Sequence, residues 1–209
     1  MPRAGLDADS VVAGAARVAD AEGLDALSLA RLAVELGVRP PSLYAHVGGL
    51  DDLRRRLAIR GSRELASELQ AAVAGRSGRD ALEALAGVYR RYALEHPGTY
   101  AALQRGPTPG DAEAEEAATR LIEVVLAVLR GYGLEGDAAV HATRILRAAL
   151  HGFVSLESAG GFAMPLDVEE SFARLVSVVD AGLDEQRELT AGTSPAPRRE
   201  LQRRSRSTR

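Results

Sequence analysis

Two adjacent prolines, Pro40 and Pro41, interrupt LSLARLAVELGVRPPSLYAHV (residues 27–47), whose flanks carry apolar residues at helical spacing. A helix interior rejects proline, which lacks an N–H and clashes with the preceding turn. The first turn tolerates it, because the first four N–H groups of a helix have no acceptor there. Each proline also drives the residue before it towards extended backbone. Arg39 and Pro40 are therefore expected to be extended, with a short helix over 41–47 that Gly48 ends. Upstream, Ser28 is placed to cap a helix carrying Leu29, Leu32, Ala33 and Leu36, and Gly37 supplies the left-handed residue a tight turn needs. Helix (28–36), four-residue turn and short helix make a helix-turn-helix, whose second helix enters the DNA major groove N-terminus first.

The rest of the chain reads as helix as well. Ala, Leu, Arg and Glu abound, aromatics make up only 4%, and no strand alternation is long enough to matter. Asp7 is an N-cap for a first helix that Gly23 stops, and a longer helix follows Gly48-Gly49 with Asp51 and Asp52 in its first turn. Further helices are expected at about 79–95, 98–105, 111–131, 136–158 and 167–188. The expected fold is all-α, about nine helices. Its domains would be a three-helix helix-turn-helix domain over 1–60, a larger helical bundle over 61–190, and a disordered Arg-rich tail over 191–209.

Charge and composition narrow the function classes. The net charge is −3, and all 26 basic residues are Arg. Residues 1–60 carry eight Arg against eight acids, so no block looks overtly basic, but residues 39–60 hold five Arg against two acids. The absence of Cys excludes disulfides and thiolate sites. No apolar run approaches the length of a membrane span and no basic-then-apolar leader is present, so a cytoplasmic protein without a membrane partner is expected. His46, His96, His141 and His151 lack the spacing of a helical metal site, and no nucleophile elbow, phosphate loop or dinucleotide fingerprint occurs. Neither catalysis nor a metal or cofactor is expected.

Within the helix-turn-helix, Leu32, Leu36, Val38, Leu43 and Val47 have the spacing to fold the two helices together, which leaves Arg39, Ser42, Tyr44, Ala45 and His46 outside. Arg39 is suited to bidentate contact with a guanine edge, and Ser42, Tyr44 and His46 to phosphate oxygens. Pro40 and the capping Ser28 complete the candidate DNA-binding set. The plain alternative is a helical hairpin inside a core. Against it stands a specific pattern. Leu32, Ala33, Leu36, Gly37, Val38, Pro41, Leu43, Tyr44, His46 and Val47, preceded by a helix and GLDA, resemble the N-terminal domain of the TetR family of bacterial transcription regulators across residues 7 to about 60. The resemblance implies that Tyr44 and His46 contact the DNA backbone and that Arg39, Pro40, Ser42 and Ala45 fall where sequence readout varies. Where members often carry a phosphate-gripping Lys, this chain has Leu50, followed by Asp51 and Asp52; Arg54, Arg55 and Arg56 are the nearby basic residues that would substitute.

EHPGTY (95–100) and HGFVSLESAGGF (151–162) resemble, less specifically, the effector-binding and dimerisation domain of such regulators. On the helices that enclose effectors in that family lie Tyr89, Tyr92, Tyr100, Leu103, Leu126, Leu129, Arg147 and His151; a helical tyrosine is otherwise ordinary packing. Ala142, Leu146, Ala149, Phe153 and Leu156, with Phe172, Leu175, Val176, Val179 and Leu183, form two apolar stripes expected to make a homodimer seam, although ordinary core helices give the same spacing. The sequence reading is thus a homodimeric, ligand-responsive repressor on a palindromic operator, with double-stranded DNA and an unidentified small molecule as partners. An architectural DNA binder without an effector, a transcriptional activator, and a helical enzyme with a vestigial helix-turn-helix are its rivals.

Overall fold

The structure, a computed structural model, describes residues 6–192. Among these the fold is all-helical and without strands. The elements are α1 (Ala8–Glu22), a 3-10 turn (Leu24–Ala26), α2 (Leu29–Leu36), α3 (Pro40–Leu43), α4 (Leu50–Val73), α5 (Gly78–Glu95), α6 (Pro97–Leu103), α7 (Ala112–Arg130), α8 (Gly136–Ser158) and α9 (Val168–Gly192). The Arg-rich tail expected from 191 lies, beyond Gly192, outside the described residues.

Local chemistry sets the first helices. Asp7 accepts a hydrogen bond from the Ser10 N–H at 2.7 Å while Ser10 Oγ accepts from the Asp7 N–H at 3.0 Å, a reciprocal cap that starts α1. The backbone N–H of Ser10 also holds the Asp7 carboxyl below its ordinary pKa. Ser28 Oγ accepts from the Arg31 N–H at 3.1 Å and starts α2. Gly37, at φ 65°, ends α2, with the Val38 N–H reaching back to the Ala33 carbonyl at 3.0 Å.

The short helix differs from expectation. It begins at Pro40 rather than Pro41, and its regular part ends at Leu43. Only Arg39 stays extended. The Ser42 N–H closes the first turn onto the Arg39 carbonyl at 2.9 Å, which draws Pro40 into helical backbone against the bias that the following proline imposes. Tyr44 keeps helical backbone, and the Val47 N–H bonds to the Leu43 carbonyl at 3.0 Å, so one further turn completes the segment.

Two apolar cores share α4. Val11, Ala15, Leu27, Leu32, Leu43, Val47, Leu53 and Leu57 build the N-terminal one. Leu65 and Leu69, two turns further along α4, join Leu82, Leu85, Leu129, Leu146 and Leu150 in the larger one. The domain division drawn at residue 60 therefore falls inside a continuous helix.

A second junction ties the N-terminal bundle to the larger one. Pro97 opens α6, and a Cβ added to Gly98 would stand 2.1 Å from the backbone of Ala19, so only glycine admits α1 at this distance. Asp20 of α1 then accepts from the Thr99 N–H at 2.7 Å and from Thr99 Oγ1 at 3.2 Å, capping α6 from another helix. In the larger bundle Arg90 of α5 holds Glu157 of α8 through two hydrogen bonds of 2.6 and 2.8 Å and Glu169 of α9 at 2.7 Å, beside the rings of Phe153 and Phe172.

Gly98→Ala is expected to destabilise the chain by about 1–3 kcal/mol through overpacking against α1, read as a lower midpoint in a thermal scan. Gly87→Ala, on α5 where an added methyl meets nothing within 4 Å, should be neutral or stabilising. Equal midpoints for the two variants would mean that the α1–α6 approach is not tight.

Candidate functional site

The helix-turn-helix presents the face its sequence implies. Leu43 and Val47 are fully buried, whereas Arg39, Pro40, Ser42, Tyr44 and Ala45 are exposed and His46 is half-buried. Tyr44, at 63% exposure, is the more conspicuous because large apolar rings otherwise seek the core. Ser28 uses one lone pair of its oxygen to cap α2, and its hydroxyl proton remains available to donate to another acceptor.

Ion pairing separates the arginines of this region. Arg31 is held by Glu22 and Glu35, Arg17 by Glu35, Arg56 by Asp52 and Arg60 by Glu64. Arg55 hydrogen-bonds to Asp111 at 2.6 Å and to Glu113 at 3.0 Å, and this pairing holds the Asp111 carboxyl below its ordinary pKa. Of the three arginines near the missing lysine, Arg55 and Arg56 are thus engaged by carboxylates, and Arg54 lies on the wall of a cavity. Among the described residues before 60, Arg39 and Arg54 are the arginines without a hydrogen bond or ion pair to another described residue. Asp52 also accepts from the Gly48 N–H at 2.9 Å and so fixes the end of the short helix to the start of α4.

The cavity, about 360 Å³, lies between α4, α5, α6, α7 and α8. Of the expected pocket residues, Tyr89, Leu103 and Arg147 line it. Tyr100 and His151 stand behind Tyr89 in a hydrogen-bonded row: Tyr89 Oη to Tyr100 Oη is 2.8 Å, and Tyr100 Oη to His151 Nδ1 is 2.6 Å. Burial pushes both tyrosine pKa values up, so their hydroxyls keep their protons. Arg147 donates to Gln104 at 3.0 Å on the same wall.

Three expected residues are elsewhere. Tyr92 is buried with its hydroxyl on Glu64 at 3.3 Å and its ring against His96. Leu129 is sealed in the larger core, and Leu126 packs on that core. The face of α7 that lines the cavity is instead Ala114, Ala118, Leu121, Ile122 and Val125; Leu126 and Leu129 follow four residues beyond Ile122 and Val125, and neither lines the cavity. Sequence reasoning missed the contribution of α4 altogether: Arg54, Ala58, Ile59 and Ser62 line the cavity, although nothing in their spacing distinguishes a cavity from a core.

The seam residues also divide. Leu146 lines the cavity, and Phe172, Val176, Val179 and Leu183 are already buried within the single protomer, so they are core before any partner arrives. Ala149 and Phe153 are half-buried. Leu156 is exposed, as are Ile145 and Ala148 on the same side of α8, and Val178 and Ala181 are exposed on α9. Two faces of one helix carry the same spacing, so periodicity alone does not separate the buried stripe from the exposed one. Among the described residues no helix is long and apolar enough to cross a membrane, and no group of His, Asp and Glu is arranged to hold a metal ion.

Comparison with known proteins agrees with this architecture. Residues 82–179 match the family described as tetracyclin repressor-like, C-terminal domain. The chain is 42% identical over 190 residues to the HTH-type transcriptional regulator Rv0681 of Mycobacterium tuberculosis, covering 90% of this chain and 86% of that one. It is 38% identical over 185 residues to the HTH-type transcriptional regulator YobS of Bacillus subtilis, covering 87% and 95%. Among solved structures, apo ActR from Streptomyces coelicolor superposes with a TM-score of 0.67 at 25% identity, covering 90% of this chain and 99% of that one. These relatives are regulators, not enzymes, and the chain belongs to the TetR family of helix-turn-helix transcriptional regulators.

Proposed function

We propose that this DNA-binding regulator is a cytoplasmic repressor that holds a palindromic operator as a homodimer and is released by a small molecule bound in the larger bundle. The observation that carries the proposal is the double role of α4. The helix buries Leu53 and Leu57 in the core of the DNA-reading head and lines the cavity with Ala58, Ile59 and Ser62 a turn later. A ligand with different affinity for two positions of α4 shifts the head, and shifts it only by that difference. A 360 Å³ space in the larger bundle favours this reading over an architectural binder, for which a solid bundle suffices. The match to a repressor-like family favours repression over activation.

A palindrome requires two heads related by a twofold axis, with half-sites roughly 34–36 Å apart or a multiple of it. The exposed face of α8 and α9 is the surface proposed for that pairing. Ile145 and Leu156 supply apolar area, and Ala148 and Gly152 allow close approach. On the DNA, Arg39 reads a base, Tyr44, His46, Ser42 and the Ser28 hydroxyl position the phosphates, and Pro40 and Ala45 shape the contact surface.

Replacing Ile145 or Val178 by Glu places a charge in the pairing face without touching either core, and is expected to yield folded monomers by light scattering. Dimers of unchanged stability in both variants would move the interface to another face.

Arg39→Ala is expected to relax preference at one base position by about 1–3 kcal/mol, whereas Tyr44→Ala and His46→Ala weaken binding to all sequences alike. Binding-site selection on the upstream DNA of the regulator's own gene measures both. An unchanged motif for Arg39→Ala would remove that residue from base readout.

A further inference from the structure

The cavity wall is mostly apolar, but its charged groups do not balance. Arg54, Arg55, Arg105 and Arg147 line it together with Asp51 and Asp111. Arg55 and Asp111 neutralise each other across the wall. Asp51 is exposed and forms no ion pair among the described residues, and it is then the one acid left against three arginines. None of those three is engaged by a carboxylate of the described chain; Arg147 bonds only to the uncharged Gln104.

Arg54 is the most telling of the three. It is half-buried, and its Nε–H is sealed from solvent without an acceptor. A buried donor left unpaired is costly, more so when the group is charged. Arg60 Nε is left in the same state although Arg60 pairs with Glu64. What singles out Arg54 is that its cation lines the cavity with no carboxylate of the described chain paired with it, where an acceptor from outside the chain would complete it. The remaining wall specifies what that acceptor is attached to: Leu103, Leu121, Ile122, Val125 and Leu146 surround a space suited to a hydrocarbon body.

We propose that the cavity binds an organic anion, an apolar body carrying a single carboxylate that pairs with Arg54, with Arg105 and Arg147 adding to the positive field. A carboxylate matches the fork of a guanidinium, which presents two parallel donors to its two oxygens. Because Arg54 lies one turn from Leu57 on α4, the ligand's charge grips the very helix that carries the DNA-reading head. The inference rests on the assignment of this cavity as the effector site, but its test needs no DNA.

The test uses the full chain and three probes of equal length, decanoate, decan-1-ol and decylammonium, with binding followed by calorimetry. Decanoate is expected to bind about tenfold or more tighter than decan-1-ol, the equivalent of one charge-assisted pair, and decylammonium weakest. Arg54→Met, which keeps the apolar stem, should remove most of the preference for decanoate over decan-1-ol while leaving decan-1-ol unchanged. A thermal scan checks that the variant folds, and Arg147→Met, at an exposed position, gives a smaller loss in the same direction. Equal binding of acid and alcohol by the native chain, tighter binding of the ammonium, or an acid preference untouched in Arg54→Met would overturn the proposal. Tight binding of decanoate without any change in operator affinity would leave the anion site standing and remove the regulatory reading instead.

Discussion

The contact on which the rest of the molecule depends is the cap that Asp20 places on the start of α6. A carboxylate on one helix satisfies the orphan donors of another, and glycine at position 98 lets the two backbones come close enough for it to do so. Without that junction the three small helices of the head would hang from α4 alone. With it, the head is held at two points, one covalent and continuous, the other a short charge-assisted hydrogen bond. Whatever alters the relative position of α4 and α6 must therefore turn the head rather than merely loosen it.

The cavity lies beside both points of attachment. Its walls include Ile59 and Ser62 of α4 and Leu103 and Gln104 of α6, so a molecule filling it would press on the same two helices that orient the head. The Arg55–Asp111 pair adds the start of α7 to that group. Arg90, by contrast, fastens α5, α8 and α9 to one another. The larger bundle thus has one side tied together by Arg90 and another, around the cavity, whose helices join the head.

Much of this was legible in the sequence, for reasons that differ from residue to residue. Helix starts at Asp7 and Ser28 and stops at Gly23 and Gly37 were readable because capping is local chemistry. Pro40 was misplaced because the bias against helix before a proline competes with a turn closed by Ser42, and the outcome depends on a hydrogen bond that sequence does not display. The exposed set of the reading helix was legible because its buried partners, Leu43 and Val47, recur at helical spacing. The cavity was legible only in part. Tyr89 and Arg147 came from the resemblance to the family's effector-enclosing helices, whereas Ile59 and Leu121 are apolar residues on apolar faces, and whether such a face meets a neighbour or a void is decided by tertiary geometry. The same limit put Leu146 and Phe172 on an outer seam when they belong to the interior.

The paired prolines have a thermodynamic corollary. A recognition segment normally surrenders conformational freedom when it settles against a duplex, and that loss is subtracted from the binding free energy. Pro40 and Pro41 fix two consecutive φ angles in the free chain, and the Gly48–Asp52 bond fastens the far end. The ordering that other segments undergo on contact is here largely complete when the chain folds. A regulator whose head carries, among its described residues, few arginines free of a carboxylate can in this way hold DNA by shape already set, with less reliance on the salt-sensitive attraction of a basic surface.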